Sequence, residues 1–282
     1  MIDVVILLWF ILTALSVIFV VIDIRSTPAS RVLKWVFILL VAYTGVFGAF
    51  LYVLGCREPL PGTHEQYVAA RWRQVLGSTM HCVAGDGIGI LAGAVISSVF
   101  VLHGSVEIAL EYILGFAFGW TIFQALFMRG MAGGSYTRSL TSTFIPELLS
   151  MNLLMAGMVP MMTLLRSLIA PTAGPDSPSF WFVMSMALLT GFIVAYPMNW
   201  WLVANKLKHG MITVRRSDLA NTGADIAKAT SAGARGGDAA MTQRMDMDHG
   251  KGKPVPAVPI MALLSFIALS SGLVIAWLVM AS

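Results

Sequence analysis

The sequence predicts an all-α protein: a polytopic bundle of about seven transmembrane helices, with one long disordered loop between the sixth and the seventh. Hydrophobic residues make up 57% of the 282 residues and charged residues only 11%. The mean hydropathy of +0.81 implies more apolar surface than a soluble domain can bury. Several apolar runs reach the roughly 20 residues that a helix needs to cross a bilayer. No run alternates apolar and polar residues as the strands of a membrane barrel do.

Seven stretches are long enough to span a membrane. They are Ile2 to Ile22, Val36 to Gly55, Thr79 to Leu102, Ile108 to Met128, Thr141 to Leu165, Phe180 to Ala204 and Val258 to Met280. The first has no basic segment before it and no small-residue cleavage signal after it, so we expect a retained helix and not a signal peptide. With two cysteines in the chain, a disulfide framework or a four-ligand structural zinc site is not expected.

The spans divide the chain into four parts. Residues 1–70 hold the first two spans, residues 71–216 hold spans three to six, residues 217–257 form the loop, and residues 258–282 hold the last span. The loop is rich in Gly, Ala, Ser, Thr, Asp and Lys and poor in aromatic residues. Such a composition cannot bury enough apolar area to offset the entropy of ordering, so we expect disorder from Asp218 to Pro256.

The distribution of Lys and Arg predicts the orientation. The connections after spans two, four and six carry most of the basic residues, which places them and the N-terminus in the cytoplasm and the C-terminus outside. The excess depends on the long loop, because without it the tally is five against four. Membrane orientation also accounts for the net charge of +4, so no nucleic-acid partner is expected.

Polar and soft-ligand side chains open the third span, where His81 and Cys82 are followed by Asp86. Such groups are costly inside a membrane and mark a functional site. Asp86 lies about seven residues into the third span and Glu147 about six into the fifth, at one depth below the same surface. We therefore expect the two carboxylates to face each other across the bundle interior, where either could carry a proton.

A thiol, an imidazole and carboxylates bind transition metals once deprotonated. Methionines follow Glu147 along one helical face, and thioethers are soft ligands for Cu(I), although methionine is also a common filler of buried interfaces. The predicted metal ligands are His81, Cys82, Asp86, Glu147, Met151, Met155 and Met158. The glycines at 85, 89 and 93, with Gly115 and Gly119 on the fourth span, predict close helix packing.

Other residues on the same face are predicted to assist. The Met, Asp and His residues around Met245 in the loop predict a segment that collects metal ions. This prediction depends on composition alone. The accessory residues are Met80, Asn152, Asn199, His209, Met211, Met245, Met247 and His249.

Three segments together resemble an uncharacterised family of bacterial multi-pass membrane proteins. They are His81-Cys82-x-x-Gly85-Asp86, Pro146-Glu147-x-x-x-Met151-Asn152, and Tyr196-Pro197-Met198-Asn199-Trp200-Trp201 followed by Lys208-His209-Gly210-Met211. The resemblance covers roughly Arg71 to Arg216 and implies a bacterial cytoplasmic membrane. It marks these positions as important and supplies no reaction.

Two functions follow from these patterns. The first is transport or handling of a soft transition metal, copper, through the Cys/His/Asp/Glu site and the methionine-lined path. The alternative is a membrane subunit of an oxidoreductase, or its assembly factor, which binds haem or a quinone through His81 with His64 or His209. A structural subunit is a third interpretation, disfavoured by the two buried acids. The predicted partners are the lipid bilayer and a metal ion. A homo-oligomer and a larger membrane complex are both compatible with the sequence. No pattern in the sequence indicates that the protein is an enzyme.

Overall fold

The computed structural model describes residues 2–27, 31–57, 60, 67–126, 134–169, 174–208, 210 and 255–281, and within them every regular element is helical. The helices are α1 (Ile2–Asp23), α2 (Arg31–Thr44), α3 (Val46–Gly55), α4 (Arg71–Val99), α5 (Ser105–Ala117, continued by a π-helix over Phe118–Leu126), α6 (Tyr136–Ile169), α7 (Pro178–Ala204) and α8 (Val258–Ala281). The predicted all-α bundle is confirmed. Six of these helices, namely α1, α4, α5 with its π-helix, α6, α7 and α8, are long and apolar enough to cross a membrane.

Helices α4, α6 and α7 form the centre of the bundle. In the most apolar 18-residue stretch of each helix, 61% of the residues are buried in α4 and 56% in α6. The corresponding values are 17% in α1 and 11% in α8. Helix α4 packs against α5 and α7, and α6 packs against α7 and α8. The outer helices therefore turn most of their surface to lipid, and the inner ones can carry polar groups.

Glycines bring α4 and α5 into close contact, as their spacing predicts. A Cβ on Gly89 would lie 2.7 Å from the Cα of Gly115, and a Cβ on Gly93 would lie 2.8 Å from the Cα of Glu111. Any larger side chain at these positions would push the backbones apart. The polar residues of α4 and α5 are thereby held at short range.

The predicted second span, Val36 to Gly55, is two short helices that turn back on each other. Gly45 separates α2 from α3 with a φ of +59°, a value that favours glycine. The rings of Phe37 and Tyr52 lie 5.3 Å apart, and a Cβ on Gly48 would lie 2.8 Å from the Cα of Val41. These contacts pair residues on either side of Gly45 in antiparallel order, so α2 and α3 form a hairpin.

The hairpin begins and ends on the same face of the bundle. Arg57, just after α3, forms an ion pair of 3.0 Å with Asp23 at the end of α1, and the Tyr52 hydroxyl donates to the same carboxylate at 2.8 Å. Near the other end of α1, Trp9 packs on Phe182 in the first turns of α7, with ring centroids 5.9 Å apart. The hairpin is therefore re-entrant, and the prediction of a membrane-crossing helix over Val36 to Gly55 was wrong.

The prediction of a single helix over Val36 to Gly55 was wrong for a physical reason. Twenty apolar residues satisfy the length rule whether they form one helix or two half-length helices joined by a glycine turn. Irregular backbone is tolerated at membrane depth where it is buried in protein, and here Gly45 packs against Thr13 and Trp9 of α1. The consequence is that the start of α1 and the long connection after α7 lie on opposite faces, which corrects the prediction that they share one.

The hairpin also changes the distribution of charge. We call the face at the end of α1 the basic face and the other the opposite face. Among the described residues, Arg166 is the only Lys or Arg on the opposite face. The basic residues on the basic face whose side chains the structure describes are Arg25, Lys34, Arg57, Arg71, Arg73, Arg138, Lys206 and Lys208. The asymmetry thus no longer depends on the long loop.

A tag before Ile2 is expected to lie across the membrane from a tag inserted in the connection between α7 and α8. Protease accessibility of the two tags in sealed, oriented vesicles measures this, and a tag after α8 serves as a control that should match the N-terminal one. Digestion of the N-terminal and loop tags from the same side would contradict the re-entrant hairpin.

Candidate functional site

Two carboxylates meet at the centre of the bundle. Asp86 of α4 and Glu147 of α6 both have an exposed fraction of 0%. If Gly119 carried a Cβ, that atom would lie 2.8 Å from Oε1 of Glu147 and 3.0 Å from Cγ of Asp86. The two carboxylates are therefore neighbours, as their equal depth predicts, and they occupy the space that a side chain at position 119 would need.

Cys82 lies one turn before Asp86 on the same face of α4. Its thiol donates to Oε2 of Glu147 at 3.1 Å, and the amide nitrogen of Gln124 donates to its sulfur at 3.0 Å. Gln124 belongs to the π-helix Phe118–Leu126. A π-helix widens the turn and is frequent at functional sites, and here it carries both Gly119 and Gln124 to the same centre.

The chain after α7 turns back into the bundle. Lys206 adopts a φ of +57°, the left-handed conformation that ends many helices. The amide of Leu207 donates to the carbonyl of Leu202 at 2.9 Å, and that of Lys206 donates to the carbonyl of Val203 at 3.1 Å. This is the hydrogen-bond pattern of a Schellman motif. It reverses the chain direction within two residues and directs Lys208 inward.

The ammonium of Lys208 completes the centre. Its Nζ lies 3.2 Å from Oε2 of Glu147 and also donates to the sulfur of Cys82. The side chains of Lys208 and Glu147 are 4% and 0% exposed. Burial alone would lower the pKa of Lys208, but the nearby Cys82 and Glu147, with Asp86, outweigh it, and the pKa lies above its usual value. We call Cys82, Asp86, Gln124, Glu147 and Lys208 the polar centre.

The centre holds a cation and two acids, and its hydrogen bonding is incomplete. Among the described residues, neither oxygen of Asp86 nor Oε1 of Glu147 has a hydrogen-bond donor. Polar atoms buried without partners are costly. A proton shared by the two carboxylates, or a bound cation, would remove that cost.

His81 lies beside the centre. Its ring is 6% exposed and packs edge-on against Phe123, with ring centroids 5.8 Å apart. It is within electrostatic reach of Glu147 and Lys208. Across the described residues, no three His, Cys, Asp or Glu side chains converge as a ready metal site. The ammonium of Lys208 instead occupies the space between Cys82 and Glu147.

The predicted methionines lie in the core. Met80, Met151, Met155 and Met158 each have an exposed fraction of 0% and belong to the main hydrophobic cluster. Met151 follows Glu147 by one turn, and its methyl carbon is 2.7 Å from the position of a Cβ on Gly115. The stripe is continuous along the interior of α6, and its contacts are those of packing.

The accessory residues are dispersed. Asn152 accepts from Tyr112 at 2.7 Å and donates to Ser265 of α8 at 3.0 Å, while Asn199 donates to Ser150 at 2.8 Å. These bonds tie α6 to its neighbours and lie outside the polar centre. The remaining predicted residues fall outside the described part of the chain: His64, His209, Met211, Met245, Met247 and His249.

Sequence reasoning missed Lys208, Gln124 and Gly119 as parts of the site. Lysines after a tryptophan-rich helix end usually anchor a helix at the membrane surface, and Lys208 matches that pattern. The available signal was charge balance: two acids buried at one level need a cation, and the segment after α7 was already predicted to lie on their side. The turn that brings Lys208 inward has no glycine to announce it.

Residues 71–208 match the model of a family described as Domain of unknown function (DUF4396). The core of the bundle is similar to that family. The match runs from the first residue of α4 to the ammonium-bearing Lys208, so it contains the whole polar centre and leaves out α1 to α3 and α8. Searches of curated proteins and of solved structures found no match. The family brings no activity, so function must be argued from the site.

Replacing Lys208 with Met is expected to destabilise the protein by about 3–5 kcal/mol, the usual cost of removing one partner of a buried ion pair. Combining it with Glu147→Gln should cost less than the sum of the two single changes, because the double variant leaves no Glu147 charge unpaired. Unfolding in detergent measures these free energies. Lys206→Met, two residues away and exposed, is the matched control, and strictly additive effects would contradict the coupling.

Proposed function

We propose that the protein binds a soft monovalent metal cation, copper(I), at the polar centre and transports it across the membrane or hands it on within it. The observation that carries the proposal is a buried cation, the Lys208 ammonium, held between the thiol of Cys82 and the carboxylate of Glu147. A site that stabilises one positive charge in this way can stabilise another of the same charge.

The ligand types favour a soft metal over an alkali ion. Thiolate and thioether groups select copper(I), whereas carbonyl and carboxylate oxygens alone would suit harder cations. Cys82 supplies the thiolate, Glu147 and Asp86 supply carboxylates, and Met151 lies one turn away. His81 is close enough to join the ligand set after a small rearrangement.

Lys208 makes the site exchangeable. It follows the end of α7 by four residues and is held by a two-residue turn, so it can withdraw without moving a transmembrane helix. In the proposed mechanism the incoming cation displaces the ammonium, which keeps the buried charge constant. The thiol must lose its proton to bind metal, and the Asp86–Glu147 pair is placed to receive it.

Orientation follows from the charge asymmetry. The positive-inside rule assigns the face with more Lys and Arg to the cytoplasm, so we place the basic face, the entrance to the polar centre and the long connection on the cytoplasmic side. The start of α1 and the end of α8 are then on the other side. The chain has one Arg there among its described residues, Arg166, paired with Glu107.

The haem or quinone alternative depends on a second histidine ligand near His81. Among the described histidines, His103 follows the far end of α4, most of a helix length from His81. His64 and His209 lie outside the described residues. An ultraviolet-visible spectrum of the purified protein tests this alternative directly, because haem has a strong Soret absorption.

Cys82→Ser is expected to abolish copper(I) binding while leaving the helical bundle intact, because it keeps the volume and removes the soft ligand. Stoichiometry is measured by mass spectrometry of the purified protein and affinity by competition with a copper(I) chelator. Cys56→Ser is the matched control: Cys56 is also buried, and burial raises its pKa to about 12, so it is expected to stay an inert thiol. Unchanged copper stoichiometry and affinity in Cys82→Ser would contradict the proposal that copper(I) binds at the polar centre.

Shortening residues 217–253 to a flexible linker is expected to leave thermal stability nearly unchanged and to reduce copper uptake only at limiting metal. The segment contributes Met245, Met247 and His249 as candidate capture ligands, and Val255 stays in place because its amide donates to Asn205. Uptake into proteoliposomes at low and saturating copper makes the comparison. If the shortened and the full-length protein take up copper equally at both concentrations, the segment has no role in metal capture.

A further inference from the structure

A further buried acid lies in the other half of the membrane. Glu111 of α5 has an exposed fraction of 0%, and neither of its oxygens has a hydrogen-bond partner among the described residues. Helix α4 has a glycine, Gly93, where it faces this side chain, and a Cβ at that position would lie 3.4 Å from Cγ of Glu111. The fold thus leaves room for an acid that it does not pair.

Glu111 is connected to the opposite face. One turn before it, Glu107 forms an ion pair of 2.6 Å with Arg166. These two side chains, with Met162 of α6 and Met280 of α8, line a cavity of about 200 Å³. That volume holds several water molecules. Glu111 is within electrostatic reach of both Glu107 and Arg166. Because Glu107 lines the cavity and precedes Glu111 by one helical turn, the cavity lies next to the buried acid.

Few charged groups face Glu111. Glu107 lies on its own helix and Arg166 on α6, and these two already neutralise each other. Helix α4 presents Gly93 to it and, one turn further along the same face, the buried hydroxyl of Ser97, which also lacks a partner among the described residues. A buried carboxylate whose nearest described cation is already paired with another acid is stabilised when it binds a proton or a metal.

An apolar layer separates Glu111 from the polar centre. Between the levels of Gly119 and Glu111 on α5 lies Gly115, and the nearest side-chain atoms to its Cβ position are Cγ1 of Ile90 and the methyl carbon of Met151, each at 2.7 Å. The two acid sites therefore face different sides of the membrane, with hydrocarbon between them. Such an arrangement is suited to alternating access from the two sides.

We propose that Glu111 is a proton-binding site that opens to the opposite face through the cavity between Glu107 and Arg166. It binds a proton at a carboxylate oxygen and releases it to water in the cavity, so no other group is oxidised or consumed. The role of Glu111 as a proton site in copper transport rests on the proposed function. The protonation of Glu111 itself does not depend on that function.

Infrared spectroscopy of the protein in lipid bilayers tests the site without any metal. At neutral pH the wild-type spectrum is expected to contain a protonated carboxylic-acid component, separate from any contribution of the Asp86–Glu147 pair, that Glu111→Gln lacks and Glu111→Asp shifts. Asp23→Asn is the matched control and should retain the band, because Asp23 is paired with Arg57 at the other face of the bundle. If Glu111→Gln fails to fold, the Glu111→Asp comparison decides. An acid band that is the same in wild type, Glu111→Gln and Glu111→Asp overturns the proposal.

Proton flux then separates this inference from the proposed function. In proteoliposomes loaded with a pH-sensitive dye, copper(I) is expected to drive proton movement in the wild type, and Glu111→Gln is expected to lose proton movement while keeping copper binding at the polar centre. Proton movement that survives Glu111→Gln at the wild-type ratio to copper overturns the transport role. A wild type that binds no copper but carries the Glu111 infrared band refutes the proposed function alone.

Discussion

The structure depends on one constraint, the cost of holding charge where water is absent. Two acids, Asp86 and Glu147, sit side by side in the bundle interior, and the ammonium of Lys208 is the cation that makes their burial tolerable. Several local features follow from it. The chain after α7 adopts a left-handed residue at Lys206 to turn inward, position 119 has no side chain because the carboxylates fill its space, and the π-helix carries Gln124 to the Cys82 sulfur. Each of these is locally unfavourable or unusual, and each serves the polar centre.

The parts of the molecule that follow from hydrophobic length and helical period could be predicted from the sequence. The all-α bundle, the shared depth of Asp86 and Glu147, and the packing of Gly89 and Gly93 all belong to this class, because each depends on spacing along a single helix. The rest depends on direction changes that spacing does not record. Gly45 reverses the chain inside an apolar run, and Lys206 reverses it after α7 with a residue type that gives no turn signal. The metal interpretation of the methionines has the opposite weakness: their regular stripe was predicted correctly, and packing in the core explains it equally well.

The re-entrant hairpin connects the electrostatics of the whole chain. Because α2 and α3 return to the face they started from, Arg25 and Lys34 lie on the same face as Arg57 and as the basic residues that flank α4 and follow α7. The two faces then differ in charge across the entire described chain, and the difference no longer rests on one polar loop. Lys208 reaches Glu147 from this same basic face. The charge asymmetry and the approach of Lys208 to the polar centre therefore concern one face of the bundle.

The two acid sites divide the membrane between them. Lys208 approaches the polar centre from the basic face, and Glu111 lies one helical turn from Glu107, which lines a cavity near the opposite face. Ile90 and Met151 close the space between them with apolar atoms at Gly115, a point where α4, α5 and α6 all meet. In the proposed transport function a cation that leaves the polar centre would cross this layer, where Met151 is both apolar and a soft ligand. Helix α6 carries Pro146 just before Glu147 and Pro160 beyond Met158, each of which removes a backbone hydrogen bond. Because these prolines weaken the backbone of α6 on either side of Glu147 and Met151, the proposed transport function assigns to this segment the shift that would open one site and close the other.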